Sequence, residues 1–503
     1  MRNSVLTYFE DTVNKFPNHV AVYDENRNIS FYELWIEAQN IAEILLEEEC
    51  NKSPILVYLP KSVSSIVTFL GILYSGNFYT PTDINFPFEK VNSIIKQLQP
   101  ARILCNTKSY TFLRENGVDE GKLIDIEEYD LKKRINKPID FSHIIDTDPV
   151  YTLFTSGSTG VPKGVTISNR SIIDYIDWAK ECYSVSENDK IGNQAPFYFD
   201  NSTLDIYLML STGATLYIIP EVCFAFPAKL IQYIKEHKIN MVFWVPSVLI
   251  SVANMDLLSK VSGLSLSKIL FAGEVMPNKH LNYWRKHIPN ALYSNLYGPT
   301  EITVDCTYYI VDRAFKDDEP LPIGIPCRNS DIIILDEANQ MVQEAHKVGE
   351  LCVRGSSLAL GYWNAPEKTK EVFVQNPLNT HYSEKIYRTG DMVYYNERHE
   401  IMFSGRKDFQ IKHMGYRIEL EEIENAALGI DELENVCVCY DDKMKQIILF
   451  YTSQIALETR VIRKRLLVSL PKYMVPTKCI QVNQFPMTAN GKIDRKAMIK
   501  LAN

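Results

Sequence analysis

The segment Thr155-Ser156-Gly157-Ser158-Thr159-Gly160-Val161-Pro162-Lys163-Gly164 gathers hydroxyl side chains, glycines and a lysine into ten consecutive residues. Glycines let backbone N–H groups turn toward an anion, and Ser and Thr hydroxyls add further donors. With the lysine charge beside them, phosphate is the ligand this composition suits. A nucleotide P-loop would instead place Ser or Thr directly after Gly-Lys and open a helix there. Here β-branched Val165-Thr166-Ile167 follows Gly164, which predicts strand–loop–strand. A plain Gly/Ser hairpin turn is the alternative, and the density of donors with the lysine argues against it. Neither a G-x-S-x-G elbow nor an H-E-x-x-H pair occurs, so no nucleophile elbow or zinc-protease helix competes for the chemistry.

Layered elements must hold such a loop. The apolar run Val150–Phe154 predicts the strand before it, and Ile172, Ile173, Ile176 and Ala179 share one helical face after it. To about residue 340 short apolar runs alternate with helical periodicity, as in strand 55–59 then helix 63–75, and strand 242–245 then a helix from Ser247. That alternation predicts α/β layers. From Asp331 short strands dominate (332–335, 350–353, 401–403), which predicts a β-rich section. After Gly405-Arg406-Lys407-Asp408 comes a self-contained α+β unit: a helix with Leu420, Ile423 and Ala427, and two strands around Asp441-Asp442-Lys443. A helix with Val461, Ile462 and Leu466 and a strand near Cys479–Val482 complete it. The expected domains are therefore 1–407 and 408–503.

Composition narrows the partners. The 503 residues are 46% apolar and 23% charged, with 53 Lys plus Arg against 62 Asp plus Glu, a net charge of −9. No uncompensated positive field is present, so neither nucleic acid nor an anionic membrane is an expected partner. The first residues, Met1-Arg2-Asn3-Ser4-Val5 and then Glu10 and Asp11, lack the apolar core of a secretory signal, and no apolar run reaches the ~20 residues of a membrane span. The expectation is a cytoplasmic protein. The cysteines are scattered; Cys437 and Cys439 face one side of an alternating strand without further ligands, so reduced, buried thiols are expected.

The loop resembles the phosphate loop of the adenylate-forming superfamily, which includes acyl-CoA ligases, luciferases and amino-acid adenylation domains. Further segments resemble that family in order: Asn295-Leu296-Tyr297-Gly298-Pro299-Thr300-Glu301, Tyr387-Arg388-Thr389-Gly390-Asp391, and Gly405-Arg406-Lys407-Asp408 with Gly415-Tyr416-Arg417-Ile418-Glu419-Leu420. Leu470-Pro471-Lys472-Tyr473-Met474-Val475-Pro476 and Asn490-Gly491-Lys492-Ile493-Asp494-Arg495 complete the set, and coverage starts near Ser30-Phe31-Tyr32-Glu33-Leu34. The resemblance implies a large N-terminal domain of α/β layers with a β-rich subdomain, followed by a small mobile C-terminal domain.

It also implies residue roles in joining a carboxylate to the α-phosphate of ATP with release of pyrophosphate. Thr155, Ser156, Gly157, Ser158, Thr159, Gly160 and Lys163 would hold the leaving phosphates. Glu301 would take Mg²⁺, since a hard cation wants carboxylate oxygen. Tyr297 would stack on adenine, with Gly273, Glu274, Asn295, Leu296, Gly298 and Thr300 around the nucleotide. Asp391 would accept from the ribose hydroxyls, with Arg406 in support. Lys492, read alone a solvated turn lysine, becomes the catalytic lysine beside Thr155, Lys163 and Glu301. In the second half-reaction a thiol takes the acyl group; Asp408 would be the hinge and Gly415 would line the thiol's tunnel.

Asp200, in Phe199-Asp200-Asn201-Ser202, resembles the acid that amino-acid activators set against the substrate's α-ammonium; a helix N-cap is its alternative role. The hinge phrase is especially similar to D-alanine–carrier-protein ligases. Carried over by motif, the pocket reads Asp200, Asn201, Leu204, Ser247, Leu270, Ala272, Leu296, Val304 and Asp305, with Lys492. Those ligases usually have cysteine at Ala272 and an apolar residue at Asp305. An acid there would suit a substrate hydroxyl or amine, as in serine-activating domains. The expected substrate is a small amino acid, serine first, then alanine of either hand or glycine; a basic side chain paired to Asp305 is the remaining alternative. Few residues follow Arg495 and no carrier-type serine motif is among them, so a phosphopantetheinylated carrier protein would act in trans, or the chain is a piece of a larger synthetase. An acyl-CoA ligase and an inactive ATP-binding scaffold stay open as competing functions.

Overall fold

The computed structural model describes residues 2–48, 50–157, 161–487 and 493–502. The chain divides into two compact units. The first comprises Met1–Ile84, Gln99–Leu153 and Gly164–Lys407; the second comprises Asn85–Leu98, Phe154–Lys163 and Asp408–Asn503. A cut along the sequence at 407/408 does not foresee the two earlier segments of the second unit. Side chains explain their place there: Lys90 pairs with Glu422, and Ser156 Oγ donates to the Arg417 carbonyl at 2.8 Å.

The first unit is built on α/β layers. A nine-stranded sheet runs in the spatial order 325–326, 307–310, 292–297, 268–271, 241–244, 190–193, 215–218, 20–23, 28–30. Its strands from Leu292–Tyr297 through Val20–Tyr23 are parallel, with antiparallel edges. A seven-stranded sheet is ordered 361–362, 163–168, 149–155, 78–81, 54–58, 102–105, 123–125. The section after Asp331 is the expected β-rich part: Ser330–Leu335, Gly349–Gly355, Lys385–Tyr395, Phe373–Gln375 and Ile401–Arg406 form one antiparallel sheet. Parallel strands covered on both faces read as unbroken apolar runs, which is why Pro54–Tyr58 and Met241–Trp244 are buried throughout.

Local chemistry sets the helices. Ser30 and Glu33 form a capping box that starts Phe31–Glu47, with Glu33 Oε2 accepting from the Ser30 N–H at 2.8 Å. Val63–Tyr74 packs against that helix through Gly71, where an added Cβ would stand 2.4 Å from Ile41 Cβ. Neither backbone can retreat without disturbing a filled core. Gly71→Ala is therefore expected to destabilise the first unit by about 2 kcal/mol despite alanine's better helix propensity. A lowered thermal midpoint checks this, and an unchanged one would remove the packing argument.

In the second unit a hairpin, Gln410–His413 with Tyr416–Glu419, leads into the helix Leu420–Leu428. A three-stranded sheet follows, ordered 435–441, 446–452, 478–481, with helices Thr459–Leu466 and Arg495–Ala502. Ile418, Ile423, Leu449, Ile462 and Leu466 share its main core. Cys437 and Cys439 face one side of their strand as expected, with Sγ atoms 3.9 Å apart, and every cysteine is a free thiol, all but Cys182 and Cys479 buried. Among the described residues no helix is long and apolar enough to cross a membrane.

Candidate active site

The phosphate-loop segment is bounded by the strands Pro149–Thr155 and Lys163–Ser168, the strand–loop–strand arrangement its sequence predicts. Ser158, Thr159 and Gly160 lie outside the described residues. Gly157 sits where a Cβ would meet the Val161 carbonyl oxygen at 2.1 Å, so no other residue fits. Thr155 Oγ1 is buried without a hydrogen-bond partner among the described residues. A buried hydroxyl left in that condition is destabilising unless a ligand completes it, and a phosphate oxygen is a suitable acceptor.

The nucleotide segment hangs on the C-terminal end of Leu292–Tyr297. Tyr297 donates its hydroxyl to Asp391 Oδ2, and Arg406 Nη1 lies 2.6 Å from Asp391 Oδ1. Asp391 and Arg406 are directly opposed across two antiparallel strands, which is what brings them together. Burial above all, then the neighbouring Asp391 charge, drives the Tyr297 phenol well above its usual pKa, so it remains a donor. A carboxylate offers about four lone-pair sites, so Asp391 keeps acceptor capacity for ribose hydroxyls while Arg406 and Tyr297 orient it.

Glu301 is fully buried on the short turn Thr300–Ile302, and Tyr362 donates to its Oε1 at 2.8 Å. The chain then passes through Thr303 and Val304 with φ of 58° and 71°, a left-handed conformation that β-branched residues rarely adopt. Gly298 permits this return, since a Cβ there would meet the Val304 carbonyl at 2.3 Å. Among the described residues no cluster of three or more potential metal ligands exists. One carboxylate is nevertheless the donor set that suits Mg²⁺ shared with phosphates, because that ion dehydrates reluctantly and seldom sits in an all-protein cage.

Four of the expected pocket segments come at or after the carboxyl ends of neighbouring parallel strands, where open α/β sheets place their ligands. Asp200 and Asn201 follow strand 190–193, Ser247 follows 241–244, Ala272 follows 268–271, and Leu296 ends 292–297. Glu274 and Ser247, two positions expected at the site, are directly linked: Glu274 Oε2 accepts from the Ser247 N–H at 2.9 Å at the start of helix Pro246–Asn254. Leu204, Leu270, Ala272, Leu296 and Val304 are buried. Asp200 occupies the N-cap position of Asn201–Thr212, yet its backbone is helical and its side chain makes no capping hydrogen bond. The capping role is therefore not what this carboxylate does.

Asp305, whose carboxylate is expected to meet a substrate hydroxyl or amine, accepts at Oδ2 from the hydroxyl of Tyr175 at 2.7 Å and is only 2% exposed, so a phenol within the protein orients it. Tyr175 lies on the helix Asn169–Cys182, far away in sequence, so no motif spacing points to it. Tyr362 was missed for the same reason. Asp408 begins the 408–503 segment of the second unit, its Oδ1 accepting from the Gln410 N–H at 3.2 Å. Met414 and Gly415, with φ of 53° and 82°, make the two-residue turn of the 410–419 hairpin. Lys492 lies outside the described residues.

The family described as AMP-binding enzyme matches residues 9–363, and the chain belongs to it. It is thus an enzyme of the adenylate-forming class. It is 31% identical to zwittermicin A synthase ZmaJ of Bacillus cereus across 100% of this chain and 96% of that one. It is 32% identical to a D-alanine–D-alanyl carrier protein ligase of Staphylococcus haemolyticus across 99% of both chains. Against gramicidin S synthase 1 of Brevibacillus brevis the identity is 33%, but the chain spans 44% of that protein. The fold is the adenylate-forming fold: the Vibrio cholerae adenylation domain AlmE, solved with glycyl-adenosine-5'-phosphate, superposes with a TM-score of 0.85 at 21% identity, covering 100% of this chain and 98% of that one.

Proposed function

We propose that the protein activates a small amino acid with ATP and transfers it to the phosphopantetheine thiol of a carrier protein supplied as a separate chain. The observation that carries this reading is Asp200, a half-buried carboxylate that begins a helix without capping it, at the carboxyl edge of the parallel sheet. A carboxylate so placed suits an α-ammonium group, which fatty and aryl acids lack. The names of the full-length relatives support it, since one is a ligase for D-alanine and a carrier protein.

In the first half-reaction a carboxylate oxygen of the amino acid bonds to the α-phosphorus of ATP, and the bond to the β-phosphate oxygen breaks to release pyrophosphate. Thr155, Lys163 and the backbone around Gly157 hold the departing phosphates, and Lys492 neutralises the approach of two anions. Mg²⁺ held by Glu301 would supply a further charge on the phosphate oxygens. Asp391, oriented by Arg406 and Tyr297, holds the ribose. In the second half-reaction the carrier thiol bonds to the acyl carbon and AMP leaves; the 408–503 segment moves about Asp408 between the two steps, with the Gly415 turn beside the thiol's path. Serine comes first among the expected substrates, then alanine of either hand or glycine, because a carboxylate at Asp305, oriented by Tyr175, suits a substrate hydroxyl.

ATP–pyrophosphate exchange across all amino acids and a set of fatty and aryl acids tests this. Exchange with serine, alanine or glycine supports it, followed by loading of a phosphopantetheinylated carrier. Activity confined to fatty or aryl acids with free CoA overturns it in favour of an acyl-CoA ligase. Intact ATP binding with no exchange overturns it in favour of a scaffold.

A further inference from the structure

Arg495 closes the segment Asn490–Arg495, and no role assigned above uses it. Its guanidinium meets three separate parts of the second unit. It pairs with Glu424 on the helix Leu420–Leu428, its Nε donates to the Val438 carbonyl at 3.1 Å, and its Cζ lies 3.9 Å from the centroid of the Phe409 ring. Glu424 Oε1 also accepts from the Val438 N–H at 2.7 Å. Val438 lies on the outer strand of the 435–452 sheet, so Arg495 and Glu424 together take up both of its outward backbone groups.

Further contacts hold the chain beside Arg495. Met487 pairs with Ile493 in an antiparallel bridge, the Asp494 N–H donates to the Pro486 carbonyl at 2.8 Å, and the Arg495 carbonyl accepts from Cys439 Sγ at 3.8 Å. Asp494 Oδ1 accepts from the Ala497 N–H at 3.0 Å at the head of the helix Arg495–Ala502. Pro486 and Met487 are thus held to Ile493 and Asp494, directly before Arg495. Phe409, the residue after Asp408, ties Arg495 to the start of the 408–503 segment.

We infer that Arg495 is a positioning residue of the adenylation half-reaction, clamping the base of the chain that carries Lys492 to Glu424, Val438 and the Phe409 ring. The inference rests on the proposed function for its catalytic half. Only arginine supplies a planar fork and a stacking face together, so lysine is not an equivalent replacement. A misplacement of about 1 Å in a reacting group lowers a rate by on the order of 10²-fold.

Two measurements on the full chain test it. In Arg495→Ala, backbone amide exchange is expected to quicken at least about tenfold at Val438 and Asp494 while the strand Gln446–Thr452 stays protected. In pyrophosphate exchange the same variant should lose about 30- to 100-fold in kcat with the KM for amino acid unchanged, and thioester formation from supplied aminoacyl-adenylate should fall less than about threefold. Arg495→Lys should recover less than about one-tenth of the lost rate. Should the alanine variant fail to fold, Phe409→Leu, which removes only the stacking face, should lower adenylation about three- to tenfold with the same split. Unaltered amide protection, or equal losses in both half-reactions, overturns the inference. A wild-type protein inactive toward every amino acid overturns the proposed function instead, and amide exchange then decides the clamp.

Discussion

Lys492→Ala is expected to lower amino-acid-dependent pyrophosphate exchange by about 10²- to 10³-fold, equivalent to ~3–4 kcal/mol of transition-state stabilisation. The first half-reaction brings a carboxylate against a polyanion, and a compact ammonium is the side chain best able to sit between them as a point charge. In the proposed function Thr155, Lys163 and Glu301 attend the leaving phosphates, so none of them replaces that charge at the reacting oxygen. The second half-reaction joins a thiol to an already activated carbonyl and relieves no comparable repulsion. Thioester formation from supplied aminoacyl-adenylate should therefore fall less than about fivefold in the same variant. Lys492→Arg should restore only part of the loss, since a guanidinium is broader and more weakly hydrated. Equal loss in both half-reactions would take the catalytic role away from Lys492.

Much of the site is legible in the sequence because it is local. The loop at Thr155–Gly164 shows its donors, its flanking strands and its departure from a P-loop within some fifteen consecutive residues. The helices at 63–74, 169–182 and 420–428 follow from apolar periodicity, and the hairpin of Asn435–Asp441 with Gln446–Thr452 from the polar run between them. What stays hidden is pairing across long separations. Tyr297 meets Asp391 across 94 positions, Tyr362 meets Glu301 across 61, and Tyr175 meets Asp305 across 130. In each case a phenol supplies the proton to a buried carboxylate, as burial of a charge demands. A tyrosine in a helix or strand is an ordinary core residue by composition, so nothing local distinguishes these three from Tyr183 or Tyr293. That is why the sequence shows Asp305 without the phenol that orients it.

Asp200 carries two readings in the sequence, a contact to the substrate's ammonium and, as the alternative, a helix N-cap, and its replacement separates them. An N-cap aspartate lost to alanine weakens a helix by about 1 kcal/mol and leaves catalysis alone. A carboxylate that receives the substrate's ammonium should, when neutralised, weaken capture of the amino acid by about 2–4 kcal/mol. The helix Asn201–Thr212 draws no side-chain cap from Asp200. Asp200 stands near enough to Tyr151 for its charge to raise that phenol's pKa further, after burial and despite the hydrogen bond from Thr203 that opposes it. Asp200→Asn keeps the shape and removes the charge. The expected result is a 30- to 1,000-fold (about 2–4 kcal/mol) fall in kcat/KM for the amino acid, with the KM for ATP within about twofold of wild type and the thermal midpoint within about a degree. The partition between substrates is the sharper readout. Propionate and lactate, which lack the ammonium, should be discriminated against far less strongly by the variant than by the wild type, because the variant no longer carries the charge that selects for an amine. A lowered midpoint with unchanged discrimination would return Asp200 to the helix and take away the observation on which the amino-acid reading rests.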